Sequence, residues 1–487
     1  MRSNTRNRIP RLSSLAIVLL LCCGAIVRAP GAELWIGGTT ISITPDKPVA
    51  LDGQFNTRVS VGVENPVTAT ALAIEGRQGT KVVDQAVLVS CDLVAIRPPV
   101  LGPLRERLAK NLTDFDSNKL VVTATHTHTA PVTEEGKYQI PKEGVMQPTE
   151  YVLFLQDRLE ELIVQAWKNR QPGSVGWGLG HAVVGHNRRA TYADGHAQMY
   201  GKTNVADFRG IEGQEDHGLE MLFFWDKTKK LLATGVNVEC PAQEVESGRK
   251  LNADFWHDVR ELVHRDMASD LLVLGWPGAA GDLSPHRMYR KEAELRMAKL
   301  RSLSYTQEIA RRIVREVKDV AALAAQDMHA DVPFAHRVAT LDLPRRMVTE
   351  AEVAEAQKQI DLLAKQGSLN RKRLWYQKTV DRFQDQEQNR TQSVEIHVLR
   401  IGDVAIATNP FELFHDFGQR MKSRSPALQT LVIQLTGSGS YLATDRAIAG
   451  GGYSAVVQSN TVSAEGGQIL VDRTLELIDS LWEKSKP

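Results

Sequence analysis

The stretch KLVVTATHTHTAP, residues 119–131, decides how the rest of the sequence is interpreted. It begins with an apolar run typical of a buried β-strand and ends in two histidines, His126 and His128. Side chains two residues apart leave the same face of an extended backbone, so both imidazoles are predicted to point into one cavity. Two neutral imidazoles on one face are a common start of a zinc site, although this motif alone is equally compatible with histidines that bind no metal.

Composition limits the function classes. The chain has 487 residues, of which 42% are hydrophobic and 24% are charged, so a large buried core can form. The formal net charge is +1, and no basic stripe with interleaved aromatic residues is present. A general electrostatic attraction to nucleic acid is therefore excluded, whereas the oligomeric state stays open.

Residues 1–32 have the pattern of a secretory signal peptide. Several arginines precede an apolar run, residues 15–26, that is too short to span a bilayer, and small residues then lead to a cleavage site expected after Ala32. A lipoprotein signal that uses Cys22 or Cys23 is the weaker alternative. We therefore expect an exported protein, located in the periplasm, on the cell surface or in the medium.

The remaining chain, residues 33–487, is predicted to form one α/β domain with a mixed sheet flanked by helices. Strands are expected at residues 85–89, 120–122, 219–225, 231–238, 271–274, 394–399, 404–408 and 429–435, and helices at residues 101–112, 148–170, 291–325 and 471–482. The charged segment 349–390 lacks strand signals and is predicted to be an inserted helical hairpin that begins with a capping box at Thr349 and Glu352. We interpret it first as a solvated decoration, and otherwise as a lid over a cleft or a contact for a partner.

Residue types suited to chemistry follow the carboxyl ends of several predicted strands. They are His126 and His128, then Cys240, then Asp282 and Ser284, and finally Glu412. Open α/β sheets bind ligands at that edge, so the repetition predicts one shared site.

Each of these residues also has a purely structural interpretation. Glu412 in the first turn of a predicted helix could compensate the helix dipole. Ser284 could be a nucleophile, an oxyanion donor or a helix N-cap, and the absence of a GxSxG elbow argues against an ordinary serine hydrolase. Cys240 could be a buried thiol, free or bridged to Cys91, and Asp282 could orient a ligand histidine.

Four motifs resemble the neutral/alkaline (non-lysosomal) ceramidases: THTHTAP, AGDLSP, the glutamate after NPF, and the final YLATD…GGGYSA. The resemblance runs in patches from about Ile41 to the C-terminus. It implies a secreted or membrane-associated zinc amidohydrolase that cleaves the amide of N-acylsphingosine, an enzyme of sphingolipid metabolism. The implied partners are a lipid or other small-molecule amide substrate and, peripherally, a membrane surface.

The resemblance also implies roles for particular residues. The implied zinc ligands are His126, Cys240, Glu412 and Tyr453, with Cys240 at a position where the family has a histidine. The implied catalytic residues are His128, Ser284, Asp282 and Arg188, and those that meet the substrate are Asn187, His186 and Tyr441.

Two departures from the family pattern affect the expected chemistry. A thiolate at Cys240 donates more charge than an imidazole, so zinc would be a weaker Lewis acid. The chain is also expected to lack the family's extra C-terminal immunoglobulin-like domain and to carry the added hairpin, and both put a long-chain ceramide substrate in doubt. We expect hydrolysis of an N-acyl amide by a zinc-bound water whose pKa is lowered toward about 7. The alternatives are a metallohydrolase for another amide or ester, such as a glycan N-acyl group, and a non-catalytic binding relative.

Overall fold

The computed structural model describes residues 31–365 and 371–482 of the chain. The predicted signal peptide lies outside the described residues except for its last two positions. In the sequence of the predicted hairpin, Gly367 is the residue expected to end the first helix as its C-cap, and it also lies outside the described residues. None of the described helices is both long enough and apolar enough to cross a membrane.

The strands and helices are numbered in chain order. The strands are β1 (Ala32–Ser42), β2 (Ala50–Leu51), β3 (Arg58–Val59), β4 (Thr68–Gln78), β5 (Lys81–Cys91), β6 (Leu120–Ala124), β7 (Gln171–His181), β8 (His186–Asn187), β9 (Arg189–Tyr192), β10 (Ala197–Met199), β11 (Phe208–Ile211), β12 (Gly218–Asp226), β13 (Leu231–Val238), β14 (Leu272–Pro277), β15 (Leu283–Ser284), β16 (Asp331–Val332), β17 (Phe334–Pro344), β18 (Thr391–Ile401), β19 (Val404–Thr408), β20 (Glu412–Leu413), β21 (Gln429–Ile433) and β22 (Tyr441–Leu442). The helices are α1 (Pro98–Asn111), α2 (Pro148–Lys168), α3 (Phe255–Asp266), α4 (Lys291–Leu300), α5 (Tyr305–Ala324), α6 (Glu350–Lys365), α7 (Arg371–Asp385), α8 (His415–Arg424), α9 (Asp445–Gly450) and α10 (Ala464–Trp482), with a short 3-10 turn at Ser117–Lys119.

Two mixed sheets form the centre of the fold. The larger has the order β14-β13-β12-β7-β1-β4-β5-β6, with β16 beside β1, and its β5–β6 and β13–β14 pairs are parallel. The smaller has the order β17-β18-β19-β21, and its β19–β21 pair is parallel. The predicted fold class, a mixed sheet with flanking helices, is confirmed, and the second sheet is an addition that the sequence patterns did not separate from the first.

The two sheets pack face to face because their strands alternate in what each side chain contacts. In β4, Leu72 and Ile74 point into the layer between the sheets, where Ile406 of β19 and Leu431 of β21 also lie. The alternate β4 residues, such as Ala71, point the other way, into the core beneath α1 and α2. This period of two places one apolar face of each sheet inside and leaves the other for helices.

Helices cover the outer faces of both sheets. Helices α1 and α2 share one core with β1, β4, β5 and β6, and α3 and α5 share another with β12 and β13. Helices α8 and α10 cover the smaller sheet. The amphipathic pattern that predicts a helix at residues 148–170 is confirmed by α2, whose apolar stripe is buried.

The prediction of one continuous helix at residues 291–325 is wrong. The chain breaks at residues 301–304 into α4 and α5, and Ser302 has a positive φ of 54°. Ser304 then starts α5 with a capping box, in which its Oγ accepts from the Gln307 backbone N–H and its own N–H donates to the Gln307 side chain. The S-x-x-Q pattern at Ser304 and Gln307 is the sequence signal that indicates this helix start.

Two helices, α6 and α7, stand where the inserted hairpin is predicted, and the capping box of Thr349 and Glu352 is formed. The hairpin is more than a solvated decoration, because Arg382 in α7 is buried and donates to the carbonyls of Asn460 and Val457. Helix α7 therefore has a fixed place against the C-terminal segment of the chain.

Candidate functional site

The carboxyl ends of strands from both sheets meet at one place. The Ala124 N–H at the end of β6 donates to the Leu435 carbonyl just beyond β21, at 3.2 Å. The Gln434 N–H donates to the Pro277 carbonyl at the end of β14, at 3.0 Å. The loops that carry the predicted site residues therefore leave the two sheets side by side.

The two histidines of the opening motif lie together, but the backbone between them is not extended. Strand β6 ends at Ala124, and His126 has a φ of 72°, in the left-handed region. The prediction that both side chains leave one face of a strand is therefore wrong in its geometry. The turn still brings the two imidazoles together, because Nε2 of His126 lies 3.2 Å from Nε2 of His128.

Hydrogen bonds fix which ring nitrogens of the histidines carry protons. Nδ1 of His126 lies 2.7 Å from the Val94 carbonyl, which can only accept, so the proton is on Nδ1 and the lone pair on Nε2. Burial lowers the pKa of His126 to about 4, against the opposing charge of Glu412, so this imidazole is neutral at pH 7. The Gln243 amide nitrogen lies 3.1 Å from Nε2 of His128, which therefore accepts as well.

Glu412 completes a group of three hydrogen-bond acceptors. Its Oε2 lies 3.6 Å from Nε2 of His126. The residue is not in a helix, as the dipole interpretation requires: it forms the short strand β20, parallel to β22, and Glu412 is paired with Tyr441. Helix α8 begins only at His415. Two ring lone pairs and a carboxylate thus face one another, an arrangement that a shared cation would stabilise.

Two tyrosines lie next to Glu412. Burial, and then the Glu412 carboxylate beside it, raises the pKa of Tyr441 well above its ordinary value. The same two causes raise the pKa of Tyr453 to about 12. Because both pKa values are raised, both phenols are neutral at pH 7. The two rings are in edge contact, with centroids 5.8 Å apart, and line one side of the site.

Arg188 brings a guanidinium whose two terminal nitrogens are each held by two hydrogen bonds. Its Nη1 donates to the Gln243 side chain and to Tyr200, at 2.9 and 3.1 Å, and its Nη2 donates to the Gly281 carbonyl and to Tyr441, at 2.9 and 3.1 Å. The side chain is buried, and its Nε has no partner among the described residues. A fixed positive charge is therefore held beside Tyr441, close enough to interact electrostatically with His126 and Glu412.

Ser284 is buried and lies in β15, paired with His186 of β8. Its Oγ accepts from the Tyr200 hydroxyl at 3.0 Å and from the His286 N–H at 3.2 Å. Neither partner is a base positioned to take the serine proton, so this geometry favours a positioning role over a nucleophilic one. His186 is buried, with Nδ1 3.6 Å from Glu215, and its Nε2 lacks a partner within the described part of the chain.

Asp282 does not orient a ligand histidine. One carboxylate oxygen accepts from the Asn187 side chain and the other from the His415 N–H, both at 2.8 Å, while its backbone carbonyl accepts from the Arg188 N–H at 2.9 Å. Burial raises the pKa of Asp282 to about 6. Asp282 therefore joins the Asn187-Arg188 pair to the start of α8.

Cys240 lies in a different environment from the other predicted ligands. Its side chain is fully buried in the apolar core beneath α3, and its Sγ lies 3.4 Å from the Pro241 carbonyl. Burial raises the pKa of this thiol well above its ordinary value, with the charges of Asp254 and Glu244 adding to the shift. Cys91 and Cys240 are both free, so of the two alternatives for the cysteines the pair of thiols is found.

The four predicted zinc ligands are thus only partly brought together. His126 and Glu412 lie side by side with Tyr453 nearby, whereas the Cys240 thiol belongs to an apolar core. Within residues 31–365 and 371–482, no group of three or more His, Cys, Asp and Glu side chains is arranged to hold a metal ion. The nitrogen and oxygen donors present are of the types that zinc takes, and a thiolate ligand does not fit the surroundings of Cys240.

Several residues around His128 are not among the predicted site residues. Glu246 bridges two histidines, with Oε2 3.3 Å from Nδ1 of His128 and Oε1 3.2 Å from Nε2 of His286. Gln243 and Glu246 lie just past the end of β13, and His286 directly follows the GDLSP motif. Their positions after strands were the available signal. No sequence signal pointed to Tyr200, whose hydroxyl is hydrogen-bonded to both Arg188 and Ser284.

Two solved structures share this fold. A neutral ceramidase from Pseudomonas aeruginosa aligns with a TM-score of 0.65 at 17% identity, over 94% of this chain and 76% of that chain. A structure described as ceramidase complexed with C2 aligns with a TM-score of 0.64 at 17% identity, over 94% of this chain and 77% of that one. No protein-family model and no curated protein matches the sequence. The resemblance predicted from the motifs is thus confirmed for the fold.

Proposed function

We propose that the chain is a ceramidase-like hydrolase of N-acyl amides. The observation that carries the proposal is the convergence of His126, His128 and Glu412 beside the caged guanidinium of Arg188. The three acceptors can hold a cation, and the fixed positive charge can stabilise a developing oxyanion. Metal-assisted hydrolysis of an amide uses both of these features. The likeness of the fold to two ceramidase structures supports the same reading.

The chain's own residues have distinct parts in the proposed reaction. Arg188 faces the substrate carbonyl oxygen, a role worth about 3–4 kcal/mol where a single donor has been removed from other enzymes. His128 moves a proton to the leaving amine from Nε2, while Glu246 near Nδ1 stabilises the ring when it is charged. Asn187, held by Asp282, and the phenol of Tyr441 position the amide.

Zinc is part of the proposal, with His126 and Glu412 as ligands and Tyr453 as the neighbouring phenol. Zinc, when bound, supplies the Lewis acidity that polarises an amide carbonyl. The neutral state of His126 at pH 7 leaves its Nε2 lone pair ready for a metal. Cys240 is not included, because its buried thiol has a raised pKa and lies in an apolar core.

Metal analysis of the purified protein tests this ligand set. We expect about one equivalent of zinc in the wild type, its loss in His126→Ala, and its retention in Cys240→Ala. His196→Ala is the matched control, since His196 is an exposed histidine in contact with Asp194. Unchanged zinc in His126→Ala would show that the ligand assignment is wrong, and loss in Cys240→Ala would restore the thiol as a ligand.

The substrate class is tested by turnover of a panel that contains a ceramide, an N-acyl amino acid and an N-acetyl sugar. Release of the amine from one class assigns the function, and release from the sugar alone would favour the glycan alternative. A non-catalytic binding relative is the second candidate, favoured by the presence of Cys240 where the resembling family has a histidine. It predicts metal-free protein that turns over no member of the panel.

A further inference from the structure

A buried cluster of charges lies at the edge of the candidate site, centred on Asp52. Its carboxylate lies 2.7 Å from Nζ of Lys137, 3.8 Å from Arg97 and 3.9 Å from Nη1 of Arg371. Asp52 is almost fully buried, and the three cations are 9–22% exposed. We call these four residues the Asp52 cluster.

Positive charge exceeds negative charge in the Asp52 cluster. Among the described residues, the one further carboxylate that forms an ion pair with these cations is Glu134, which is 39% exposed and lies 3.9 Å from Nε of Arg97. Three cations against these two carboxylates leave one positive charge uncompensated. Burial, together with repulsion from Arg97 and Arg371, lowers the pKa of Lys137 to about 8 despite its contact with Asp52. A further anion would therefore be bound favourably here.

The Asp52 cluster is in direct contact with the loop that packs on the catalytic histidine. Gly53, the next residue, lies so close to His128 that a Cβ built on it would be 2.4 Å from the imidazole Cγ. Nη1 of Arg371 donates to the Gln54 carbonyl and to the Tyr138 hydroxyl, both at 2.6 Å. Arg371 comes from α7 of the inserted hairpin, so the hairpin reaches the edge of the site.

Aromatic rings connect the cluster to the proposed reacting centre. Tyr453, beside Glu412, has its ring centroid 5.7 Å from that of Phe55 and 5.6 Å from that of Trp375 in α7. The Arg371 guanidinium lies 5.4 Å from the centroid of Phe55. The three rings are partly exposed, so an apolar part of a ligand can lie along them between the acceptors and the cations.

We propose that Arg371 and Lys137 bind an anionic group of the substrate, so that the preferred substrates are N-acyl compounds that carry a carboxylate, as N-acyl amino acids do. This inference rests on the proposed function and narrows it. Arginine pairs with carboxylates through strong charge-assisted hydrogen bonds, and a neutral long-chain amide would leave the extra charge of the cluster without a partner. The hairpin is then a specificity element, which supplies both Arg371 and Trp375.

Two compounds of nearly the same size and shape that differ in charge test the inference: N-octanoylglycine, a carboxylate, and N-octanoylglycinamide, which is neutral. We expect the wild type to hydrolyse the carboxylate with about tenfold higher kcat/KM, through a lower KM, since one charge-assisted hydrogen bond accounts for that factor. Arg371→Met should abolish this preference, because kcat/KM should fall about tenfold more for the carboxylate than for the neutral compound. Arg371→Lys, which keeps the charge, should retain most of it.

Lys372→Met is the matched control, because it removes one positive charge from an exposed neighbour in the same helix. It should keep the wild-type preference. Equal kcat/KM for both compounds in the wild type overturns the inference, as does an equal loss for both in Arg371→Met, which would mean that Arg371 only holds the hairpin in place.

Calorimetric binding of the same two compounds separates failure of this inference from failure of the proposed function. If neither compound is hydrolysed, the proposed function fails, yet tighter binding of N-octanoylglycine that is lost in Arg371→Met still supports the anion site. If neither compound binds, or both bind equally, the anion site is refuted even where amides are hydrolysed.

Discussion

Replacement of Lys422 by methionine should destabilise the protein more than any surface change, because Lys422 balances three carboxylates behind the candidate site. Its Nζ lies 2.9 Å from Asp216, 2.9 Å from Glu220 and 2.8 Å from Glu239, and the side chain is 14% exposed. Methionine keeps most of the volume, so the charge is the main loss. Removal of one partner from a buried ion pair costs about 3–5 kcal/mol, and we expect a loss in that range at pH 7.5.

The sign of the pH dependence follows from the carboxylates that remain. Burial already raises the pKa of Glu220, and the attraction of Lys422 opposes that shift. Without the lysine, the folded-state pKa of Glu220 rises further above its unfolded value, so the folded variant takes up a proton as the pH falls. The stability lost in Lys422→Met should therefore be smaller at pH 5.5 than at pH 7.5.

Denaturant unfolding followed by tryptophan fluorescence measures both effects. Lys318→Met is the control, since Lys318 is 47% exposed, lies 3.2 Å from Asp266 and should change stability by less than about 1 kcal/mol. A loss below about 1 kcal/mol in Lys422→Met, or one that grows as the pH falls, would refute the reasoning. Turnover should fall as well, because Glu239 accepts from His415 at 2.6 Å and the His415 N–H holds Asp282.

Two further predictions concern the surroundings of His128. Gly53→Ala should lower turnover by about tenfold or more and cost about 1–3 kcal/mol of stability, because Gly53 has a φ of 97° and a methyl group there would meet the imidazole of His128. Gly79→Ala, at a φ of 61° with open space around it, should show the backbone cost without the loss of turnover in the same assays. Glu246→Gln should lower the pKa of His286, measured by NMR, because Glu246 and Glu244 raise that pKa against the effect of burial. Its cost in stability should be greatest between about pH 4.5 and 6.5, where the carboxylate and the imidazolium are both charged, and a cost that is constant from pH 5 to 8 would contradict the ion pair.

Local patterns predicted the elements well where one periodicity runs without interruption. The strand at residues 404–408 and the hairpin of β12 and β13 are found as the alternation indicates, and α2 matches its amphipathic stripe. The helix at residues 291–325 failed because a continuous helical periodicity outweighed the start signal at Ser304. The division into two sheets could not be predicted, since partner choice depends on contacts between strands far apart in the chain.

The sequence predicted which residues belong to the site better than it predicted their local conformations. His126 and Glu412 meet, as the shared position after strands indicates, although neither has the local conformation expected of it. His126 has a positive φ that no sequence rule assigns to a histidine, and Glu412 gains a strand partner, Tyr441, that lies in a different loop. Cys240 shows the limit of carrying a role by motif, because its position in the sequence matches while its side chain lies in an apolar core.

If the Asp52 cluster binds substrate as proposed, it shows why substrate choice is harder to predict from sequence than the position of the site. The residues proposed to react follow strand ends and therefore gather at one edge whatever the intervening sequence. Arg371 reaches the same edge across 317 residues from Gln54, on a hairpin whose charged composition is equally typical of a solvated surface. Nothing local distinguishes Arg371 from the exposed Lys372 beside it; only the packing of α7 against Phe55 and Tyr138 does. Under the proposal made above, substrate choice depends on which side chain of α7 faces the site, and the paired variants at positions 371 and 372 separate that choice from the overall charge of the hairpin.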